Sequence, residues 1–241
     1  MFFVFFLVVP ALFLAEARAP YNGQIVEDSE RGYSYFVPYA QTAMRSKLPV
    51  LVSLPGKGLK SKNDLKLWSK AANENGFFVM GMDIDYSAIK KENDLRRIQF
   101  RITDGLKQVS SVYNLRTEKI YLAGSSAGGA TALALSLRYP DEYQAVGVIG
   151  GGSMQFNSSL YLINAEKKQF FIIHGDHDSS IPIGIAYETQ KELEQGGGNV
   201  KFLKIPNGEH ALPVFSYEAL VQWFAFQENL FQGAQSAPGA A

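Results

Sequence analysis

The segment "IYLAGSSAGG", residues 120–129, joins a strand pattern to a run of very small residues. Strand-forming residues up to Ala123 are followed at once by six residues that are all Gly, Ser or Ala, and an Ala- and Leu-rich helical pattern begins at Gly128. Side chains this small let a chain leave a buried strand and enter a helix within a few residues. The pattern predicts a tight strand–helix turn that exposes one serine, although close packing alone would also favour small residues there.

Ser126 is the better of the two candidate serines. In a tight turn the residues two before and two after the apex come close together, so both must be small. Around Ser126 these residues are Gly124 and Gly128, in the pattern G-x-S-x-G, whereas Ser125 is flanked by two alanines at the same spacing. Ser126 is therefore the candidate nucleophile, and it requires a base that can take its proton.

Apolar runs and helical patterns alternate along the rest of the chain. The predicted strands are 48–54, 77–84, 119–123, 145–151, 169–175 and 199–205, with a further edge strand at 33–37, and the predicted helices are 63–75, 93–113, 128–139, 182–195 and 217–226. Strands that are apolar on both faces and separated by helices predict an α/β fold, with a mostly parallel sheet flanked by helices on both faces. In such sheets the functional groups lie on loops at the carboxyl ends of the strands.

The base and its partner acid are sought on those loops. The sequence has three histidines, and His210 directly follows the sixth apolar run, where a loop-borne base belongs; the alternative is a surface histidine. An acid is expected after the fifth run, where "HGDHDSSIP" offers Asp176 and Asp178. Spacing alone does not decide between these two carboxylates.

The same segment has the composition of a metal site, because His174, Asp176, His177 and Asp178 are close in sequence. Adjacent residues on a tight turn rarely converge on one ion, and no distant third ligand is evident. We therefore interpret His174 and His177 as part of a polar turn, and we expect no metal and no cofactor.

Two backbone N–H groups are expected to bind a developing oxyanion. One belongs to the residue after the nucleophile, Ala127, at a helix start. The other is expected in "LPGKG" after the first strong strand, where Lys57 is the first choice and Gly58 the second. An ordinary Gly-rich turn is the alternative interpretation of that loop.

With these residues in place, the sequence resembles an α/β-hydrolase from about residue 33 to residue 226. It is most similar to the esterases that include the polyhydroxybutyrate depolymerase-like and feruloyl-esterase-like proteins, on the strength of "EKIYLAGSSAGGATALALSLRYPDEYQAVGVIGG", "HGDHDSSIP" and "GEHALP". The resemblance implies Asp178 as the acid, through the pattern H-G-x-x-D-x-x-[VI]-P, and His210 as the base. Related hydrolases usually carry His-Gly after the first strong strand, where this chain has Pro55 and Gly56, so the oxyanion loop is expected to be set differently.

Composition narrows the choice of partners. Lys plus Arg and Asp plus Glu number 23 each, and no dense basic face is apparent, so nucleic acid is not an expected partner. There are no cysteines, which excludes disulfides and thiolate catalysis, and 46% apolar residues suffice for a sizeable core.

The two ends of the sequence differ from the body. An unbroken apolar run from Phe2 to Ala15 is short for a membrane span, which needs about 20 residues. Small residues at Ala17 and Ala19 follow it, so residues 1–19 are predicted to be a signal peptide, with an uncleaved anchor as the alternative. This predicts a secreted or periplasmic protein without a stable membrane span in the mature chain. Residues 20–232 are predicted to form one catalytic domain, and 233–241 a disordered tail.

The resulting functional prediction is a serine esterase that cleaves carboxylic esters through an acyl-enzyme, with a Ser-Asp-His triad and a small-molecule or oligomeric ester as substrate. Two alternatives remain at this point. One is a serine peptidase of the same fold, and the other is a non-catalytic binding protein built on a hydrolase fold.

Overall fold

A computed structural model describes residues 23–39, 47–152 and 158–236. The predicted signal peptide lies outside the described residues. In chain order the strands are β1 Gln24–Asp28, β2 Tyr33–Val37, β3 Leu48–Leu54, β4 Phe78–Met82, β5 Leu115–Ser125, β6 Tyr143–Ile149, β7 Gln169–Gly175 and β8 Asn199–Ile205. The α-helices are α1 Ser61–Asn75, α2 Glu92–Ser110, α3 Ala127–Arg138, α4 Ile183–Gln195 and α5 Val214–Ser236. Short 3-10 segments lie at Tyr86–Ala88 and Ser158–Ala165.

The eight strands form one sheet in the order β1-β2-β4-β3-β5-β6-β7-β8. Strands β3 to β8 pair in parallel, and β1 and β2 form an antiparallel extension next to β4. The predicted mostly parallel sheet is therefore confirmed. Its two central strands, β3 and β5, carry the loop at Pro55 and the serine turn respectively, so these two features leave the sheet side by side.

Both faces of the sheet are covered by helices, and neighbouring residues of the central strands are buried on opposite faces. On β5, Leu122 packs toward α2, α3 and α4, and its neighbour Tyr121 packs toward α1 and α5. Fully buried side chains dominate both layers, such as Leu133 on α3 in one and Trp68 on α1 in the other. The two cores fix the helices against the sheet and so fix the loops at its carboxyl edge.

Most predicted bounds differ from the observed ones by a few residues, and the larger differences lie at the first two strands, at the start of β5 and in the last helix. Tyr33–Val37 is not the edge strand, because β1 pairs with its outer side. The β1 sequence "QIVED" is half exposed and has no apolar run, so its composition did not predict a strand. The last helix is longer than expected and continues to Ser236, which includes four residues assigned to the tail; residues 237–241 lie outside the described ranges.

A buried carboxyl group lies between α1 and the carboxyl end of β3. Asp64, on α1, is fully buried, and its Oδ2 accepts hydrogen bonds from Ser53 Oγ (2.6 Å) and Trp68 Nε1 (2.9 Å). Its Oδ1 has no partner among the described residues. Burial raises the pKa of Asp64 from 3.8 to about 6, although these two hydrogen bonds lower it in part.

Replacing Asp64 by Asn should change the pH dependence of stability. The raised pKa means that Asp64 binds its proton more tightly in the folded state than in the unfolded state. Ionisation of Asp64 therefore does not destabilise the fold below about pH 3.8. The destabilisation grows as the pH rises from about 3.8 to about 6 and stays constant at higher pH. An asparagine side chain cannot ionise, so the variant escapes this destabilisation. We expect the unfolding free energy of Asp64→Asn minus that of wild type to be about 2 kcal/mol more favourable at about pH 7.5 than at about pH 4.5. Urea unfolding at both pH values measures this change. The exposed Asp141→Asn is the control, and a pH-independent difference for Asp64→Asn would contradict the account.

Candidate active site

Ser126 is the single residue between β5 and α3, and its backbone is strained. Its φ of 52° and ψ of −122° lie where residues with a side chain rarely occur, at a cost of about 1–3 kcal/mol. The conformation is held from both sides: the Ser126 N–H donates to Ile149 O (2.9 Å), and its carbonyl accepts from the N–H groups of Gly129 and Ala130. This turn directs the serine side chain away from the strand and the helix.

The glycines around Ser126 are required by space. A Cβ on Gly124 would lie 2.2 Å from Gly128 O, and a Cβ on Gly128 would lie 2.0 Å from Leu54 O. Both distances are shorter than any contact a real Cβ makes, and the opposing atoms belong to the backbone. The turn geometry therefore agrees with the G-x-S-x-G reasoning and has Ser126, not Ser125, at its apex.

His210 lies in the loop between β8 and α5 and reaches both other predicted residues. Its Nε2 is 3.0 Å from Ser126 Oγ, and its Nδ1 is 2.8 Å from Asp178 Oδ2. Its side chain is about one-third exposed, at 33%. Because an ionised carboxylate only accepts, Nδ1 carries the ring proton, and Nε2 is free to accept from the serine hydroxyl.

Asp178, in the loop after β7, is held as an anion. Its side chain is fully buried, and Oδ1 accepts from the N–H groups of Ser180 (2.9 Å) and Ile181 (2.8 Å). Burial alone would raise the pKa of Asp178, but the hydrogen bonds from Ile181, His210 and Ser180 outweigh it and lower the pKa. Asp178 is thus the carboxylate that contacts His210, which resolves the choice that spacing left open.

Asp176, the other candidate acid, supports the loop that carries His210. Its Oδ1 accepts from Asn207 N–H at 2.6 Å, and Asn207 has a positive φ of 54°. One residue before Asp176, Gly175 is so close to the same loop that a Cβ there would lie 2.2 Å from Gly208 O. The loops after β7 and β8 are therefore held together by a hydrogen bond and by close backbone packing. The sequence pattern did not predict this structural role of Asp176.

The remaining histidines differ in burial. His174 is fully buried and donates through Nε2 to Ile181 O (2.8 Å), with Asp178 Oδ2 at 3.4 Å. His177 is exposed, and its backbone N–H donates to Gly208 O. Among the described residues, no group of three or more potential ligands is placed to hold a metal ion.

The loop after β3 runs beside the serine turn. A Cβ on Gly56 would lie 3.4 Å from Ser126 Cβ, so the loop backbone passes close to the candidate nucleophile. Within residues 23–39, 47–152 and 158–236, neither the Lys57 N–H nor the Ala127 N–H donates to a backbone carbonyl. The next residue, Gly58, has a φ of 83°, a value that this position of the turn requires and that glycine adopts without strain. The two N–H groups predicted to bind an oxyanion thus belong to neighbouring segments.

A cavity of about 600 Å³ adjoins this loop on the β4 side. Its wall includes Lys57, Lys60, Asp83, Asp85 and Arg101. Asp83 accepts from Ser61 N–H (2.7 Å), and the Arg101 guanidinium donates to the carbonyls of Asp83 and Gly32. The wall therefore combines charged side chains with apolar ones, including Leu59 and Ile84.

None of the helices in the described ranges has the length and hydrophobicity of a transmembrane segment.

Together, the mostly parallel sheet, the serine turn after β5 and the histidine loop after β8 define an α/β-hydrolase fold. The chain belongs to the phospholipase/carboxylesterase family, which matches residues 77–226. That match begins after the Pro55 loop. The narrower likeness to the depolymerase-like and feruloyl-esterase-like group stays a prediction.

Known proteins that resemble the chain are consistent with this assignment. A probable carboxylesterase, SOBER1-like, from Arabidopsis thaliana is 28% identical over 112 residues, which is 45% of this chain and 42% of the relative. A thermostable esterase shares the fold with a TM-score of 0.62 at 20% identity, over 87% of this chain and 62% of that one. FphF, a fluorophosphonate-binding serine hydrolase of Staphylococcus aureus, has a TM-score of 0.66 at 14% identity, over 80% and 91% of the two chains.

Gly128→Ala should displace the turn. Because the added methyl group would meet the Leu54 carbonyl at 2.0 Å, β3 or α3 must shift, and we expect a loss of stability of about 3 kcal/mol or more together with loss of the Ser126 geometry. Gly184→Ala is the matched control, since it lies in α4 with nothing within 4 Å of the new Cβ, and it should change stability by less than about 1 kcal/mol. Chemical unfolding of both variants measures the difference, and equal stabilities would contradict the packing argument.

Proposed function

We propose that the protein hydrolyses carboxylic esters through an acyl-enzyme formed on Ser126. One observation carries the proposal: Ser126 Oγ, His210 and Asp178 form a continuous chain of hydrogen bonds, 3.0 Å and 2.8 Å long. A serine hydroxyl becomes a nucleophile when a base of this kind takes its proton and an acid orients the base.

In the proposed reaction, Ser126 Oγ attacks the ester carbonyl as its proton passes to His210 Nε2. Asp178 holds the imidazole through Nδ1–H and stabilises the imidazolium, a task for which its lowered pKa keeps it ionised. The C–O bond to the alcohol then breaks, and the leaving oxygen takes the proton from His210. Water, deprotonated by His210, attacks the acyl group and releases the acid and free Ser126.

The negative charge that develops on the carbonyl oxygen is assigned to the backbone N–H groups of Ala127 and Lys57. Their lack of a backbone acceptor within the described residues supports this role. Ala127 is also the first residue of α3, where unpaired N–H groups and the helix dipole favour an anion. Loss of one such donor costs about 3 kcal/mol in the transition state.

The cavity beside the loop supports a preference for short or polar esters. His210 protonates the leaving alcohol, so the alcohol lies on the β7–β8 side, and the acyl group extends toward the loop and the cavity. The wall is mixed, with Leu59 and Ile84 beside Lys57, Asp83 and Arg101, and the charged groups disfavour an acyl chain long enough to cover them. We also propose that residues 1–19 direct export, which would bring the enzyme to esters outside the cytoplasm.

Ser126→Ala should abolish this activity. Without the hydroxyl no acyl-enzyme forms, and turnover of p-nitrophenyl acetate is expected to fall by a factor on the order of a million. Initial rates at matched enzyme concentration measure the loss.

Ser125→Ala is the matched control. Ser126, and not Ser125, contacts His210 Nε2, so loss of the Ser125 hydroxyl should reduce turnover by less than about tenfold, equivalent to one ordinary hydrogen bond. Wild-type turnover by Ser126→Ala would exclude Ser126 as nucleophile. Faster cleavage of a peptide anilide than of the ester would favour a peptidase, and absence of turnover of both by folded wild-type protein would favour a binding protein.

A further inference from the structure

The loop that carries Lys57 is held by a distant tyrosine. Tyr86 lies in the 3-10 turn after β4, and its hydroxyl donates a hydrogen bond to the Pro55 carbonyl. The two residues are 31 positions apart in the chain. Nothing in the sequence pattern around Tyr86 points to this contact.

The Pro55 carbonyl is the natural point at which to fix the loop. Proline has no N–H, so its carbonyl is the only backbone group of residue 55 that can form a hydrogen bond. The same oxygen lies next to the serine turn, because a Cβ on Gly128 would come within 2.7 Å of it. Rotation of the following peptide planes would change where the Lys57 N–H points, since glycines flank Lys57 on both sides.

We propose that Tyr86 is a positioning residue, whose hydroxyl sets the direction of the Lys57 N–H by holding the Pro55 carbonyl. The inference rests on the proposed function, because it gives Tyr86 its role through the oxyanion site. Tyr86 acts on the loop and does not contact the reacting atoms.

The surroundings of Tyr86 suit a fixed donor. Burial, and then the nearby Asp64 carboxyl group, raise the pKa of the Tyr86 hydroxyl, so it stays protonated throughout the range in which esters are assayed. The turn is closed by Asp85, whose carboxylate accepts from Ser87 N–H (2.9 Å) and Ser87 Oγ (2.6 Å). Farther along the loop, Leu59 N–H donates to Gly56 O (3.1 Å) and closes the turn that contains Lys57.

Tyr86→Phe tests the proposal, because it removes the hydroxyl and keeps the ring. With one oxyanion donor misdirected, kcat for p-nitrophenyl acetate should fall about tenfold to a hundredfold, with KM changed by less than about twofold. An alkylboronic acid mimics the tetrahedral intermediate, so its inhibition constant should increase by the same factor by which kcat/KM decreases.

Tyr143→Phe is the matched control. Its hydroxyl is also buried and hydrogen-bonded, to Gln99 Oε1, but Tyr143 is at the amino end of β6, far from the turn. This variant should lower the melting temperature and leave kcat and boronate inhibition unchanged. Rates are expressed per site titrated with a fluorophosphonate, so that partial unfolding does not appear as a loss of kcat.

The possible results separate the two claims. Wild-type kcat and boronate inhibition in Tyr86→Phe, with normal Ser126-dependent turnover in the parent protein, would overturn the role of Tyr86 alone. A change in melting temperature without a change in kcat per titrated site would overturn it as well. Wild-type protein without Ser126-dependent turnover would overturn the proposed function and, with it, the role of Tyr86.

Discussion

The close approach of β3, β5 and α3 is the constraint on which the site depends. Gly124 and Gly128 touch each other's backbone, and Gly128 also touches the Leu54 carbonyl. No side chain fits there, and the chain passes from strand to helix only if Ser126 takes a positive φ. The backbone strain is confined to this residue. It is compensated by two apolar layers, one that packs α3 against the sheet and one that covers the opposite face. The same approach brings the Pro55 loop against the serine, so one packing event arranges both the nucleophile and the loop assigned to the oxyanion.

The other half of the site is held by polar contacts. Asp178 is buried and accepts three hydrogen bonds, two from backbone N–H groups and one from His210. Such a carboxylate is a fixed negative charge that orients the imidazole and determines its tautomer. Asp176, two residues earlier, fastens the β8 loop through Asn207. The histidine therefore depends on two carboxylates with different tasks, one electrostatic and one structural.

Sequence patterns predicted the features that depend on a few neighbouring residues, namely the apolar strands and the serine turn. The strand bounds of β3, β7 and β8 agree with the apolar runs, and G-x-S-x-G marked Ser126 because the glycine requirement acts within five residues. The pairing of β1, with its polar sequence, depends on a neighbouring strand and left no apolar signal. The choice of Asp178 came from a family resemblance, since both aspartates of the turn satisfy the spacing. The hydroxyl of Tyr86 meets Pro55 only in the folded chain, so no sequence spacing encodes it.

Covalent labelling with a fluorophosphonate identifies the nucleophile of the protein. The wild-type protein is treated with a fluorophosphonate, digested, and the modified peptide is sequenced by mass spectrometry. We expect one phosphonyl group, on Ser126, and much slower labelling when Asp178 is replaced by Asn, because the imidazole then loses its fixed orientation and tautomer. A phosphonyl group on any other residue, or no label on protein shown to be folded, would contradict the assignment of Ser126 as the nucleophile.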